Sequence, residues 1–190
     1  MSDKRRNSHR SGPPPLNPTR LEELALAYVA RFATTQAKLR GYLQRKLRER
    51  GWDGEDAPPL DALIARYCER GYIDDAAWAR MKAGSLLRRG YGARRVGEAL
   101  GQAGVEEALR VEARPAVADQ RRAALVLARR RRFGPFALAT SRGLADPKTR
   151  DRQLAAMLRA GHPLDIARRI VESDDADALE EWAESDFGDC

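Results

Sequence analysis

The sequence has little of what marks several large protein classes. Its 190 residues include only two cysteines and two histidines, and aromatic residues make up 6% of the chain. Two cysteines do not build a disulfide framework, and two isolated histidines do not supply the ligand spacing of a zinc site. No apolar run approaches the roughly 18 residues that a membrane helix needs. These absences argue against disulfide-stapled, zinc-binding and membrane-spanning proteins, and we expect no bound metal.

Motifs that carry common chemistries are also missing. The chain has no GxxxxGK[ST] phosphate loop, and GxSxG, HExxH and CxxC do not occur. Carboxylates outside the C-terminal end are dispersed in the manner of helix caps and ion-pair partners. We therefore predict a protein that is not an enzyme, with no catalytic residues and no cofactor. The N-terminus, MSDKRRNSHR, has no apolar segment behind it and does not resemble a secretory signal, so we expect a cytoplasmic protein.

Residues that favour helices are abundant instead. Alanine, leucine and arginine dominate the sequence, whereas aromatic and β-branched residues are few. Apolar residues recur at helical spacing through most of the chain, for example at Leu60, Leu63, Ile64 and Tyr67. The sequence therefore predicts an all-α fold.

Charge is distributed unevenly along the chain. The formal net charge is +7, but residues 173–190 contain eight acids and no lysine or arginine, so the other 172 residues carry 35 − 20 = +15. A body of this charge attracts polyanions, with nucleic acid as the first candidate. No helix combines a basic face with a large aromatic one, so a membrane surface is not expected as a partner. We expect residues 173–190 to form an acidic tail in which Ser173 can cap a short helix with Leu179 and Trp182 on its apolar edge. This tail can mask the basic body, or it can serve only to keep the protein in solution.

The most informative stretch is residues 71–105. Two amphipathic helices, over about 74–89 and 93–103, are separated by a break at Gly90-Tyr91-Gly92. Four arginines flank this break. They are Arg88, Arg89, Arg94 and Arg95. Their pattern fits a contact surface for a polyanion, and it also fits two solvated helix ends.

A helix ending recurs along the chain. A leucine or methionine is followed four residues later by glycine and then by a bulky residue, in the segments that end at Gly51, Gly104 and Gly161. The leucine or methionine positions are 53 and 57 residues apart (100 − 47 and 157 − 100). This near-constant spacing predicts tandem three-helix repeats that form an elongated, curved helical array.

The repeats divide the chain into five parts. We expect a disordered basic segment over 1–18, repeats over 19–70, 71–115 and 116–172, and the acidic tail over 173–190. A Thr19–Glu22 capping box, Thr34-Thr35 and Asp146-Pro147 are predicted to start helices. The expected helices cover about 20–33, 35–50, 59–70, 74–89, 93–103 and 105–113, one from Val117, one from Pro147, and a last core helix around Leu164–Ile170. A poorly patterned link over about 134–146 joins the helix from Val117 to the one from Pro147.

The central block resembles the regulatory protein RecX family. The matching residues are Gly71-Tyr72-Ile73-Asp74-Asp75 with Trp78-Ala79, Gly90-Tyr91-Gly92 with Arg95-Val96, and Leu100 with Gly104-Val105. Weaker matches extend from about Leu24 to Val171. Two departures are Trp78, where phenylalanine is more usual, and the alanines Ala103 and Ala160, where a basic residue often precedes the glycine.

The resemblance implies a regulator of the RecA recombinase. Such a protein would bind the RecA nucleoprotein filament, mainly inhibit it, and modulate ATP hydrolysis and strand exchange in recombination, DNA repair and the SOS response. It would contact single- and double-stranded DNA weakly and non-specifically, and we expect it to be a monomer. Charge and position predict the contact residues Arg88, Arg89, Arg94 and Arg95, together with Lys38, Arg45 and Lys46 on the basic face of the second helix.

Two alternatives remain at the level of sequence. The helices over 74–89 and 93–103 superficially resemble a helix–turn–helix, which would make the chain a stand-alone DNA-binding protein. Against this, the second helix, ARRVGEALGQA, offers little besides two arginines for reading bases. A nucleic-acid-processing enzyme has little support in the residues.

Overall fold

A computed structural model describes residues 13–137 and 146–185 of the chain, and all regular structure in these residues is helical. This confirms the predicted all-α class. The α-helices are α1 (Pro18–Arg31), α2 (Gln36–Arg50), α3 (Leu60–Glu69), α4 (Asp75–Arg88), α5 (Ala93–Gln102), α6 (Glu107–Glu112), α7 (Val117–Arg131), α8 (Pro147–Arg159), α9 (Leu164–Glu172) and α10 (Ala176–Glu184), with a 3₁₀ turn at Gly134–Phe136. The arrangement as three repeats in an elongated, curved array stays a prediction.

The chain divides into two compact units, Met1–Asp74 and Asp75–Cys190. Unit 1 holds α1 to α3, whose apolar faces meet in one core. Leu39 and Leu43 of α2 are fully buried there, beside Ile64 and Tyr67 of α3. Cys68 is half-buried at the edge of this core.

The N-terminal segment of unit 1 differs from the prediction at Leu16. Disorder was expected over residues 1–18; residues 1–12 lie outside the described part of the chain, but Leu16 is fully buried. Its N–H donates to the carbonyl of Gly51 at 3.0 Å, and its carbonyl accepts from the N–H of Asp53 at 2.7 Å. The expectation was wrong here because a single leucine within a proline-rich run can fill a gap in a neighbouring core.

The start of α1 also corrects the sequence analysis. Asn17, not Thr19, is the N-cap, and its side-chain oxygen accepts the N–H of Arg20 at 2.9 Å. Pro18 then occupies the first helical position, which suits its fixed φ and missing N–H. Glu22 forms an ion pair with Arg66 of α3 instead of closing a capping box. The predicted caps Thr35 and Asp146 are confirmed, since each accepts a first-turn N–H.

Unit 2 contains two apolar clusters. Helices α4, α5 and α6 enclose one around Trp78, Val96 and Leu100. The other lies among α7, α8, α9 and α10, and includes Met157 and Ile170, both fully buried. Within the predicted link over 134–146, residues Gly134–Phe136 form the 3₁₀ turn, and residues 138–145 lie outside the described part of the chain.

The residues predicted to be an acidic tail fold, in part, as α10. Asp175 caps this helix, and Leu179, Trp182 and Ala183 are buried in the second cluster of unit 2. Residues 173–185 are therefore not a free tail. The apolar spacing of Leu179 and Trp182 was visible in the sequence, but the surface that would bury them was not. Residues 186–190 lie outside the described chain.

Candidate interaction surface

The turn between α4 and α5 is built by glycine geometry. Gly90 has φ +78°, a left-handed conformation that glycine adopts without strain. The N–H of Tyr91 then donates back to the carbonyl of Leu86 at 3.1 Å and closes the end of α4. Gly92 is the extended N-cap residue of α5. The predicted break in the helix is therefore present, and it sets the direction in which α5 leaves.

This turn packs against the turn between α8 and α9 in the same unit. The N–H of Gly92 donates to the carbonyl of Ala160 at 3.0 Å, and the N–H of Arg94 donates to the carbonyl of Gly161 at 3.2 Å. A Cβ placed on Gly92 would lie 2.3 Å from the carbonyl carbon and oxygen of Gly161. One placed on Gly161 would lie 2.6 Å from the nitrogen of Arg95. Both positions therefore need glycine for close approach of two backbones.

His162 stabilises the contact between the α4–α5 turn and the α8–α9 turn. Its ring is 4% exposed, and Nε2 lies 3.0 Å from the carbonyl oxygen of Gly90. Because that oxygen can only accept, Nε2 carries the proton. Burial lowers the pKa of His162, and the hydrogen bond to Gly90 opposes this only in part. The lowered pKa favours the neutral ring, which packs inside the contact between the two turns.

Arg94 and Arg95, in the first turn of α5, share one acidic partner. Both guanidinium groups reach Glu98, Arg94 at Oε1 and Arg95 at Oε2, the latter at 3.1 Å. Arg94 also donates to the carbonyl of Leu158 at 2.9 Å, which orients its side chain toward α8. Both side chains stay more than half exposed. The two arginines and Glu98 together carry one net positive charge at the surface.

Arg88 and Arg89, at the C-terminal end of α4, are exposed. Arg89 donates to the carbonyl of Ser85 at 3.2 Å, and its guanidinium lies 5.9 Å from the centre of the Tyr91 ring. Neither arginine forms an ion pair with another described residue. The four predicted arginines therefore flank one turn, and two of them have no acidic partner in the part of the chain that the structure describes.

Lys38, Arg45 and Lys46, the remaining predicted residues, belong to α2 of unit 1. Lys46 and Arg45 both approach Glu49, at 2.6 Å and 3.6 Å. The hydrogen bond from Lys46 lowers the pKa of Glu49, so this carboxylate stays charged and offsets one of the two cations. The α2 face is thus less positive than its sequence indicates.

Helix α7 carries three further basic residues with partners in the C-terminal helix, Arg121, Arg122 and Arg129. Arg121 is 4% exposed, and its Nη1 donates to the carbonyls of Trp182 and Ser185 at 3.2 Å each. Arg122 and Arg129, both about half exposed, form ion pairs with acids of α10. Arg121 lies three residues before Ala124 and four before Leu125, which places it on the apolar face of α7. This spacing was the sequence signal that Arg121 is buried. These arginines hold α10 against α7 through hydrogen bonds and ion pairs.

The described residues hold no arrangement that suggests catalysis. Among them, no group of three or more His, Cys, Asp or Glu side chains could bind a metal ion. None of the described helices has the length and apolar content needed to cross a membrane. What the surface offers is a rigid, docked turn that presents exposed arginines.

Comparisons with known proteins match nearly the full chain. A protein of Myxococcus xanthus (strain DK1622) named "Regulatory protein RecX" is 33% identical over 182 residues, which cover 92% of this chain and 96% of the relative. A protein of Mycobacterium sp. (strain JLS) with the same name is 35% identical over 98 residues, about half of each chain, and one of strain KMS is 34% identical over the same extent. No family model matches the sequence.

Proposed function

Because the chain belongs to the RecX family of regulatory proteins, we propose that it regulates the RecA recombinase by binding the RecA–DNA filament. It would mainly inhibit the filament and so change ATP hydrolysis and strand exchange, without catalysing a reaction itself. The observation that carries this proposal is the near-complete coverage of both chains by the Myxococcus xanthus relative. The central block of the sequence, Gly71–Val105, supports it independently.

The physical support is the arginine surface at the α4–α5 turn. A filament that contains DNA is a polyanion, and exposed guanidinium groups bind phosphates with several donors at once. Arg88 and Arg89 have no acidic partner among the described residues, so binding a phosphate would not require them to break an existing ion pair. Arg94 and Arg95 share the single carboxylate of Glu98 and keep a net positive charge. Phosphate contacts of this kind give weak, non-specific binding to single- and double-stranded DNA.

The packing of α5 disfavours the helix–turn–helix alternative. In that motif the N-terminal residues of the second helix contact base edges in the major groove. Here the first turn of α5 hydrogen-bonds to the α8–α9 turn through Arg94, and Arg94 reaches across to Leu158. Its inner positions Val96 and Leu100 are buried. The backbone at the end of α5 that would enter the major groove is therefore held against the α8–α9 turn, while the side chains of Arg94 and Arg95 stay exposed.

The proposal predicts a specific loss of inhibition. Replacing Arg88 and Arg89 together by alanine should raise the concentration that half-inhibits the RecA ATPase by about tenfold. This corresponds to roughly 0.7 kcal/mol per arginine, within the range of exposed ion pairs. The slope of log K against log salt for binding to single-stranded DNA should also become shallower, by the amount expected for the loss of about two phosphate contacts.

The matched control removes the same charge elsewhere. Arg150 and Arg152 are exposed on α8, and their double alanine variant should inhibit like the unaltered protein. Thermal unfolding by circular dichroism should be the same for both variants. Equal inhibition by the Arg88/Arg89 variant would remove this turn from the contact surface, while the family membership would still stand.

A further inference from the structure

An open groove of about 440 Å³ lies in unit 2, bordered by α5, α6, the start of α7 and the α8–α9 turn. This volume falls in the range of pockets that bind ligands, about 300–1,000 Å³. Among the described residues the groove is open to solvent. Of those at the α4–α5 turn and the start of α5, it is lined by Ala93 and Arg94.

The wall of the groove is aliphatic. Val96 and Leu100 of α5 line it from one side and are buried, and Pro115 and Pro163 line it elsewhere. Val111 of α6 also lines it and is 63% exposed, an unusually open position for a branched aliphatic side chain. An apolar partner group seated here would bury Val111 and remove its apolar surface from water.

The rim of the groove is basic. Three arginines and one glutamate line it, Arg94, Arg110, Arg114 and Glu107, which leaves a formal charge of +2. Arg110 pairs with Glu107, whereas Arg114 is exposed and has no ion pair with any described residue. The groove therefore offers an apolar seat beneath guanidinium groups that prefer carboxylate or phosphate.

The aliphatic wall indicates which of the two anions, carboxylate or phosphate, the groove binds. Proteins that hold single-stranded nucleic acid commonly stack its bases on aromatic side chains. Within the described residues, the imidazole of His162 is the only aromatic ring that lines this groove, and it is 4% exposed and bonded to Gly90. Its Nδ1 is also buried, so the ring offers the groove neither a stacking face nor an exposed acceptor.

We infer that this groove binds an acidic peptide segment of a protein partner, with an aliphatic side chain seated against Val111 and carboxylates paired with Arg94, Arg110 and Arg114. The inference goes beyond the proposed function, because the groove and its ligand class hold whichever protein supplies the segment. Binding is by contact alone, and no bond is made or broken.

The test uses the full chain and a fluorescein-labelled peptide of aspartate and glutamate with leucines spaced by one helical turn. Fluorescence anisotropy at low salt should show saturable binding, and a peptide with the acids changed to amides should bind at least about tenfold more weakly. Val111→Asp should weaken binding of the acidic peptide by about tenfold or more, because it places a like charge in the apolar seat.

Val117→Asp is the matched control. Val117 is 55% exposed at the start of α7, is not part of the groove lining, and its substitution adds the same charge. This variant should bind the peptide within about twofold of the unaltered protein, and both variants should unfold at the same temperature.

Three results would overturn the inference. The first is no saturable binding up to about 1 mM peptide. The second is equal binding of the peptide by the Val111→Asp and Val117→Asp variants. The third is that a labelled oligothymidylate binds more weakly to Val111→Asp than to Val117→Asp, whereas the peptide does not. The last would assign the groove to nucleic acid. The assay contains no RecA, so these results leave the proposed function untouched, and loss of filament inhibition by the Arg88/Arg89 variant leaves the groove untouched.

Discussion

Replacing Gly92 by alanine is expected to lower the free energy of unfolding of unit 2 by about 3–5 kcal/mol. The added Cβ would lie 2.3 Å from the backbone of Gly161, and backbone cannot move aside as a flexible side chain can. Overpacking of this kind costs about 1–3 kcal/mol or more. Separation of the two turns would also break two hydrogen bonds, Gly92 to Ala160 and Arg94 to Gly161, each with a net value of about 0.5–1.5 kcal/mol.

Gly97→Ala provides the control in the same helix. Gly97 lies in the interior of α5, and nothing stands within 4 Å of the position that its Cβ would take. Alanine there should stabilise the protein by about 0.5–1 kcal/mol, because it favours the helix more than glycine does. Chemical unfolding followed by circular dichroism measures both variants. Similar stabilities for the two would show that the α4–α5 and α8–α9 turns are not in close contact.

Trp182→Ala is expected to destabilise the protein by about 3–5 kcal/mol, the usual cost of removing a buried large aromatic side chain. Trp182 is 7% exposed and anchors α10 in the second cluster of unit 2. The guanidinium carbons of Arg121 and Arg169 each lie 4.9 Å from its ring. Removal of the ring therefore takes away apolar burial and two cation–π contacts together. Urea unfolding of the full chain measures the change.

Trp182→Phe separates the ring from the indole nitrogen. Phenylalanine keeps an aromatic face for both arginines, and the indole N–H that it lacks has no hydrogen-bond partner among the described residues. We expect this variant to lose less than about 1.5 kcal/mol. If Trp182→Ala cost as little as Trp182→Phe, α10 would be a surface appendage, as the acidic composition of residues 173–190 had indicated.

Helix ends were the features that the sequence predicted best. Gly104 and Gly161 take positive φ, and the next residue donates its N–H to a carbonyl five positions back, Val105 to Leu100 and His162 to Met157. This is the geometry of a glycine C-cap, so glycine followed by a bulky residue predicts it from local rules alone. Gly71 and Gly90 end α3 and α4 in the same way. The motif therefore marks the ends of helices. Because any helix can end in this way, its regular spacing is only weak evidence for structural repeats.

Features that depend on distant partners were not predictable in the same way. Leu16 is buried because the α2–α3 loop pairs with its backbone, and the acids of α10 are held because Arg122 and Arg129 meet them. Local patterns contain no record of these contacts. The high polarity of the N-terminal segment predicted disorder, and that of the C-terminal segment predicted an acidic tail. Tertiary burial of a few apolar side chains outweighed that composition.

The candidate surface was predicted in composition but not in detail. The sequence located the four arginines at the α4–α5 turn, since local charge and a glycine break are visible without a structure. It did not show that Glu98 is shared by Arg94 and Arg95, or that Lys46 and Arg45 are offset by Glu49. It also did not predict the groove, because Arg110, Arg114 and Val111 line a common groove only when α6 packs beside α5.

The central claim is that the chain regulates the RecA filament, and an ATPase titration tests it most directly. RecA filaments are preformed on single-stranded DNA, the full chain is added, and ATP hydrolysis is followed over time. We expect hydrolysis to fall at amounts well below one chain per RecA protomer, because one bound regulator acts on a filament of many protomers. Unchanged hydrolysis when the chain equals or exceeds RecA would contradict the account.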